Sequence, residues 1–246
     1  MMIRVAVASA KGSTPRDVGA EMFVSPHSCQ GTIGGGQLEY MAIDRARQML
    51  TSGQQQAQMD IPLGPEIGQC CGGRVVLSLT RVAALPQAPA RPQVMIFGAG
   101  HVGRALARAL ALLPLSPLLL DQRIEEIALA PDLPSRLTAL PEADLRGAPL
   151  GTSFIIVTHD HALDFLLAIE ALKRRDAPYI GMIGSASKRA QFQRFARSQN
   201  TDPSRLICPI GASSCRDKRP EIIAAFTAAE VIARVTAPIS LSRKYP

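Results

Sequence analysis

The chain has 246 residues, 47% of them apolar and 19% charged, a composition that supports packed domains and excludes an extended disordered polyelectrolyte. With three Tyr, seven Phe and no Trp, it lacks the stacking platforms of a single-strand nucleic-acid groove. The net charge of +7 is lopsided: residues 1–90 hold seven Lys or Arg against six Asp or Glu, and residues 91–246 hold twenty against fourteen. That basic second half suits either an anionic partner or an ordinary solubilising surface.

The opening MMIRVAVASAKGSTPR has neither the basic start nor the apolar stretch of a secretion signal. The most apolar run, LALLPLSPLLL, is twice interrupted by proline and falls short of the roughly twenty residues that span a bilayer. A cytoplasmic protein without membrane contact is expected. MIRVAVASA reads as a strand running into the turn-rich KGSTPRDVG, and AEMFVS as a second strand. GTIGGG, residues 31–36, is followed by a segment in which Leu38, Met41, Ile43, Ala46, Met49 and Leu50 recur at helical spacing, with Gly53 as its stop. RVVLSLTRV, residues 74–82, predicts another strand. LPQAPARPQ carries three prolines in nine residues, which resists helix and central strand alike. The predicted organisation is a first domain over 1–85, a proline-rich linker over 86–92 and a second domain over 93–246.

Beyond the linker the rhythm changes. VMIFGAG precedes HVGRALARALALL, LSPLLLDQR follows, TSFIIVTHD precedes DFLLAIEALKRR, and APYIGMIGS precedes SKRAQFQRFARSQ. Strand followed by helix, repeated, predicts an α/β fold with a Rossmann-like parallel sheet covered by helices. A last helix is expected from RPEIIAAFTAAEVIARV, with Pro220 in its first turn.

Two glycine clusters are candidate binding sites. Gly31, Gly34, Gly35 and Gly36 could form a nest of N–H groups at a helix start, favourable to an anion. GTIGGGQLE lacks the G-K-S/T ending of a nucleotide-hydrolysing loop. Glu39 could cap the helix or, with Gln37, orient a polar heterocycle. In FGAGHVGRAL, Gly98, Gly100 and Gly103 fit G-x-G-x-x-G after a strand and before a helix, and Asp121 lies where a ribose-binding carboxylate is common. Dinucleotide binding, NAD(P) included, and simple packing are both open. His159 and His161 flank Asp160 without a third metal ligand in reach of the pattern; capping by Thr158 or Asp160 is the alternative. In GMIGSASKRAQF, Ser185 or Ser187 could cap a helix, with Lys188 and Arg189 beside it.

The five cysteines are Cys29, Cys70, Cys71, Cys208 and Cys215. They form no C-x-x-C pair and no disulfide framework. Cys70 and Cys71, in IGQCCGG, are candidates for contact with a soft metal or for carrying sulfur, or act as small hydrophobes.

Taken in order, KGSTPRDVGAEMFV, GTIGGGQLE, IGQCCGGRV, FGAGHVGRAL, VTHDH, YIGMIGSASKR and PIG…DKRPEIIAAFTAAE resemble the XdhC/CoxI family over nearly the whole chain, and DKRPEIIAA is most similar to its xanthine dehydrogenase accessory branch. The resemblance implies a smaller N-terminal α/β XdhC/CoxI domain beside the Rossmann-like one. It also implies a cytoplasmic, homodimeric chaperone that binds and protects the molybdenum cofactor, a molybdopterin. Such a protein promotes sulfuration with a cysteine desulfurase and assists insertion into xanthine dehydrogenase. On that reading Gly31, Gly34, Gly35, Gly36, Gln37, Glu39, Gly98, Gly100, Gly103 and Asp121 bind cofactor, and Cys70 or Cys71 meets metal or sulfur. An NAD(P)-dependent oxidoreductase and a regulatory dinucleotide-binding protein are the alternatives. Many members carry an extra helix and a longer strand before KGSTPR, so either a reduced edge of the first domain or a longer native N-terminus is expected; ASSCRD departs from the glycines common before DKRPE.

Overall fold

In the first unit, alternation along MIRVAVASAK sends Ile3, Val5 and Val7 to one side, where they are buried. That makes β1 (Met2–Lys11) the middle of an antiparallel sheet ordered β3-β2-β1-β5-β4, with β2 Glu21–Val24, β3 Cys29–Gly31, β4 Gln56–Pro62 and β5 Arg74–Val82. The only helix described in this unit, α1 (Gly36–Ser52), buries Leu38, Ala42, Ala46 and Met49 against that face; Met41, Ile43 and Leu50 are only partly buried. Gly53, left-handed at φ 77°, ends it. The sequence pattern misses β3 and β4. Three exposed residues form the first, and QAQMDIP, polar and proline-ended, forms the second. Both are edges, where neither a buried face nor a full set of ladder donors is required.

The structure, a computed structural model, describes residues 1–65, 72–87, 90–211 and 217–236. Contacts divide the chain into two units, Met1–Pro89 and Ala90–Pro246.

The second unit is a five-stranded sheet ordered β10-β9-β6-β7-β8, parallel throughout. Its elements are β6 (Gln93–Phe97), α2 (His101–Ala111), β7 (Ser116–Asp121), α3 (Ile124–Ala128), β8 (Ser135–Leu137), α4 (Pro141–Arg146), β9 (Ser153–Ile156), α5 (His161–Lys173), β10 (Ile180–Met182), α6 (Ala186–Ser198) and α7 (Pro220–Val235). Counted within the unit, the order is the doubly wound 3-2-1-4-5. Both faces are covered, so β6 and β9 read as continuous apolar runs. Phe97, Leu120, Phe154 and Ile156 face α4, α5 and α6, while Ile96, Leu119, Ile155 and Val157 face α2 and α7. The short α3, β8 and α4 have no periodicity long enough to announce them. The Rossmann-like parallel sheet and the smaller N-terminal α/β unit agree with the sequence reading. Among the described residues no helix is long and apolar enough to cross a membrane.

Candidate functional site

Strand direction decides what meets in the first unit. β1, β3 and β4 end, and β2 and β5 begin, at one end of the sheet. The described residues that leave this end are 12–20, 32–35, 63–65 and 72–73; they include most of KGSTPR and of GTIGGG, and they bracket the IGQCCGG region. Two close approaches tie them together. A Cβ on Gly34 would lie 2.4 Å from Pro15 Cγ, and one on Gly73 would lie 2.1 Å from the Ser13 carbonyl oxygen. The KGSTPR loop therefore rests on both glycine segments, through contacts that any side chain at those positions would break. Leu63 pairs with Gly72 and Gly73 at the same end. Cys70 and Cys71, the candidate sulfur or metal contacts, lie outside the described residues.

The nest at Gly31–Gly36 already contains an anion. Glu39 Oε1 accepts from the Thr32 hydroxyl at 2.6 Å and from the Ile33 N–H at 3.0 Å. Gly34 N–H donates to Thr32 Oγ1 at 3.2 Å. Burial works to raise the Glu39 pKa, but Thr32 and the backbone of Ile33, Gly35 and Gly34 outweigh it and hold the carboxyl below its usual range. Glu39 thus caps the turn into α1, the role that no side chain at the N-cap itself fills. Gly31 closes β3, Gly35 is the N-cap, and Gln37 stands exposed in the first helical turn.

The second glycine cluster sits at the carboxyl ends of β6 and β9, where the strand order reverses. Its three glycines have different reasons to exist. Gly98 takes φ 116°, and a Cβ there would meet the Val157 carbonyl oxygen at 2.4 Å; one on Gly103 would meet the Gly98 oxygen at 1.8 Å. Gly100 has φ −65° and nothing within 4 Å of its Cβ position. Neither conformation nor protein neighbours demand glycine at that point.

Asp121 is heavily engaged. Its Oδ2 accepts from Ala99 N–H at 2.7 Å and Arg123 Nη2 at 2.9 Å, and its Oδ1 from Arg123 N–H at 2.9 Å and Nε at 3.0 Å. Burial pushes this carboxyl up, but the Arg123 guanidinium and the two backbone N–H groups prevail and keep it low. All four lone-pair directions of a carboxylate are then used inside the protein. A cleft lined by Gly98, Asp121, Thr138, Thr158 and His159 has a volume of ≈ 10 Å³, room for about one water.

Thr158, which lines that cleft, also joins a buried charged pair. Lys188 was read as a cation beside a helix start, yet its Nζ donates to Asp164 Oδ2, and both residues are buried. Asp164 Oδ1 accepts from the Thr158 hydroxyl at 2.7 Å and its N–H at 3.1 Å. Asp160 caps α5 through Ala162 and Leu163, and Ser185 caps α6 through Lys188 N–H. His159 and His161 are exposed, and among the described residues no group of three or more His, Cys, Asp or Glu could hold a metal. Beside Lys188, burial pushes the Cys208 thiol up, against the opposing charges of Lys188 and Arg189. Sequence reading also missed Pro15 and Arg16 as neighbours of the glycine loop, and Arg123 as the partner of Asp121. The spacing of Asp121 and Arg123 along one strand end was the available signal for the latter.

Both units match known families. Residues 2–61 match the model described as "XdhC and CoxI family", and residues 94–231 match the one described as "XdhC Rossmann domain". The Escherichia coli (strain K12) protein YqeB is 27% identical over 239 residues, covering 92% of this chain and 42% of that protein, so the chain spans less than half the length of that curated relative. A solved Bacillus halodurans structure described as a xanthine dehydrogenase superposes with TM-score 0.82 at 17% identity, covering 99% of this chain and 94% of that one. At that identity the likeness is one of fold.

Proposed function

Because the chain belongs to the XdhC and CoxI family, we propose that it serves the maturation of a molybdenum hydroxylase. In this reading it holds the molybdenum cofactor, protects it during sulfuration by a cysteine desulfurase, and assists its insertion into xanthine dehydrogenase. It acts in the cytoplasm as a homodimer. The cofactor is cargo, and what it supplies when bound is a dithiolene-held metal that receives the terminal sulfur.

The observation that carries the reading is the meeting of KGSTPR, GTIGGG and the strand ends bracketing IGQCCGG at one end of one sheet. The donor set there suits a polar heterocycle. Glu39 is fixed by Thr32 and Ile33 and kept ionised, so it can accept from the ring N–H groups of a pterin. Gln37, exposed two residues earlier in the first turn of α1, offers both a donor and an acceptor. Cys70 or Cys71 would face the metal or take up sulfur. Release follows from partner docking if donor and acceptor enzymes bind the loaded and empty forms with different affinity.

Anaerobic purification from a molybdopterin-producing host, followed by identification of released ligands, tests the reading. Molybdopterin together with molybdenum is the expected result; NAD(P) alone would refute it. One observation favours a second reading for the Rossmann-like unit. Gly100 is open and unstrained, as a turn approached closely by pyrophosphate would be, so a dinucleotide-binding regulatory role is the alternative.

A further inference from the structure

We propose that the phosphate of the bound pterin is held by Arg16, not by the amides of the glycine loop. The inference rests on the cofactor-binding reading and deepens it. The glycine-rich loop looks like an anion nest in sequence, but its donors at Thr32, Ile33 and Gly34 are committed. The Ile33 N–H and the Thr32 hydroxyl serve Glu39, the Gly34 N–H serves Thr32, and the backbone of Gly34 and Gly35 adds to the field that keeps Glu39 ionised. A phosphate brought to this loop would meet a carboxylate already seated there, and like charges at such range repel.

A cation is needed beside the loop, and most of those in this unit are engaged. Arg4 pairs with Glu21, Arg74 with Asp60, and Arg81 donates to the carbonyls of Met49 and Leu50. Arg45 donates to Gln54. Lys11 lies in the field of Asp60, and Arg47 lies on α1 beside Asp44 and Gln48. Arg16 differs in its place beside the glycine loop. It is exposed, and among the described residues no carboxylate lies within ion-pair distance of it. Pro15 packs against Gly34, and Arg16 Cγ lies 3.8 Å from the Cβ position of Gly34. The guanidinium therefore starts at the rim of the loop. Its planar fork suits bidentate contact with a phosphate monoester. The division of labour is then a carboxylate for the ring and a guanidinium for the phosphate.

The test uses the full chain and the fluorescent oxidation product of molybdopterin as the probe. One sample keeps its phosphate, and the other has it removed by phosphatase. Wild type should bind the phosphorylated probe more tightly, on the order of tenfold, the ordinary worth of a charge-assisted contact. Arg16→Gln should lose that preference while binding the dephosphorylated probe as wild type does, and Arg16→Lys should recover part of it. Full preference retained in Arg16→Gln, an equal loss for both probes, or no preference in wild type would each overturn the role of Arg16 and leave the cofactor reading standing. Failure of wild type to bind either probe would overturn a site that recognises the pterin by ring and phosphate, Arg16 included, and leave the cofactor reading to the anaerobic purification.

Discussion

At the scale of single residues, the three glycines of FGAGHVG separate what the fold requires from what a ligand requires. Gly98 is held by a positive φ and by the Val157 carbonyl, and Gly103 by the Gly98 carbonyl, so both are needed before any ligand arrives. Gly100 is needed by neither. Gly98→Ala should therefore destabilise the second unit by about 1–3 kcal/mol, the cost of a strained backbone position, and more if Val157 cannot yield. Gly100→Ala should cost less than about 1 kcal/mol: alanine caps α2 less well than glycine, but it fits the ordinary φ and restricts the unfolded chain, which offsets most of that. Urea denaturation of the two variants checks the contrast; equal losses would mean that glycine serves the same purpose at both positions. A Gly100→Ala protein that folds normally yet loses a nucleotide would locate the ligand at that turn.

At the scale of elements, the long and periodic segments were legible and the short ones were not. β5, α1, α2, α5, α6 and α7 carry their pattern over many residues, with stops such as Gly53 and starts such as Pro220. β3, β4, α3, β8 and α4 are edges or connections of three to seven residues, too short for a period to emerge and too exposed to require one. The candidate site was legible as residue types but not as bonding. GTIGGGQLE suggests a nest and a carboxylate; only three-dimensional placement shows that one fills the other. Likewise Lys188 looks solvated in SKRAQF, while its partner Asp164 lies 24 residues away on another helix. That pair ties α5 to α6, and Thr158 ties both to the end of β9. Lys188→Met should cost about 3–5 kcal/mol, because it leaves the Asp164 carboxylate buried without its cation. Replacing both, as Asp164→Leu with Lys188→Met, should recover much of that loss. Equilibrium unfolding of the single and double variants measures the difference, and a double variant as unstable as the single one would show that the pair does more than neutralise itself.

At the scale of the whole molecule, the excess positive charge belongs to the second half, yet that half uses its acids carefully. Asp121 with Arg123, Glu126 with Arg104, Asp132 with Arg108, Asp144 with Arg136 and Asp176 with Arg174 are all paired. Stability should consequently depend on acid pH through Asp121, Asp132 and Asp176, whose folded pKa lies below the unfolded one. Asp121 is the informative case, since it is almost fully buried and the Arg123 guanidinium, with two backbone N–H groups, overcomes the upward push of burial. Its contribution is complete above the ordinary carboxylate range of about 4 and is lost as pH falls through its lowered value, where the unfolded chain binds the proton first. In Arg123→Gln the balance reverses: burial acts with only the N–H groups against it, and the folded carboxyl takes up its proton more readily. The variant should be less stable than wild type at pH 7, and the gap should narrow as the medium is brought to pH 4. Urea unfolding at the two pH values reads both quantities in one experiment. A gap that stays constant with pH would mean that Arg123 stabilises the turn by packing alone, and that the charge of Asp121 is set by its backbone donors.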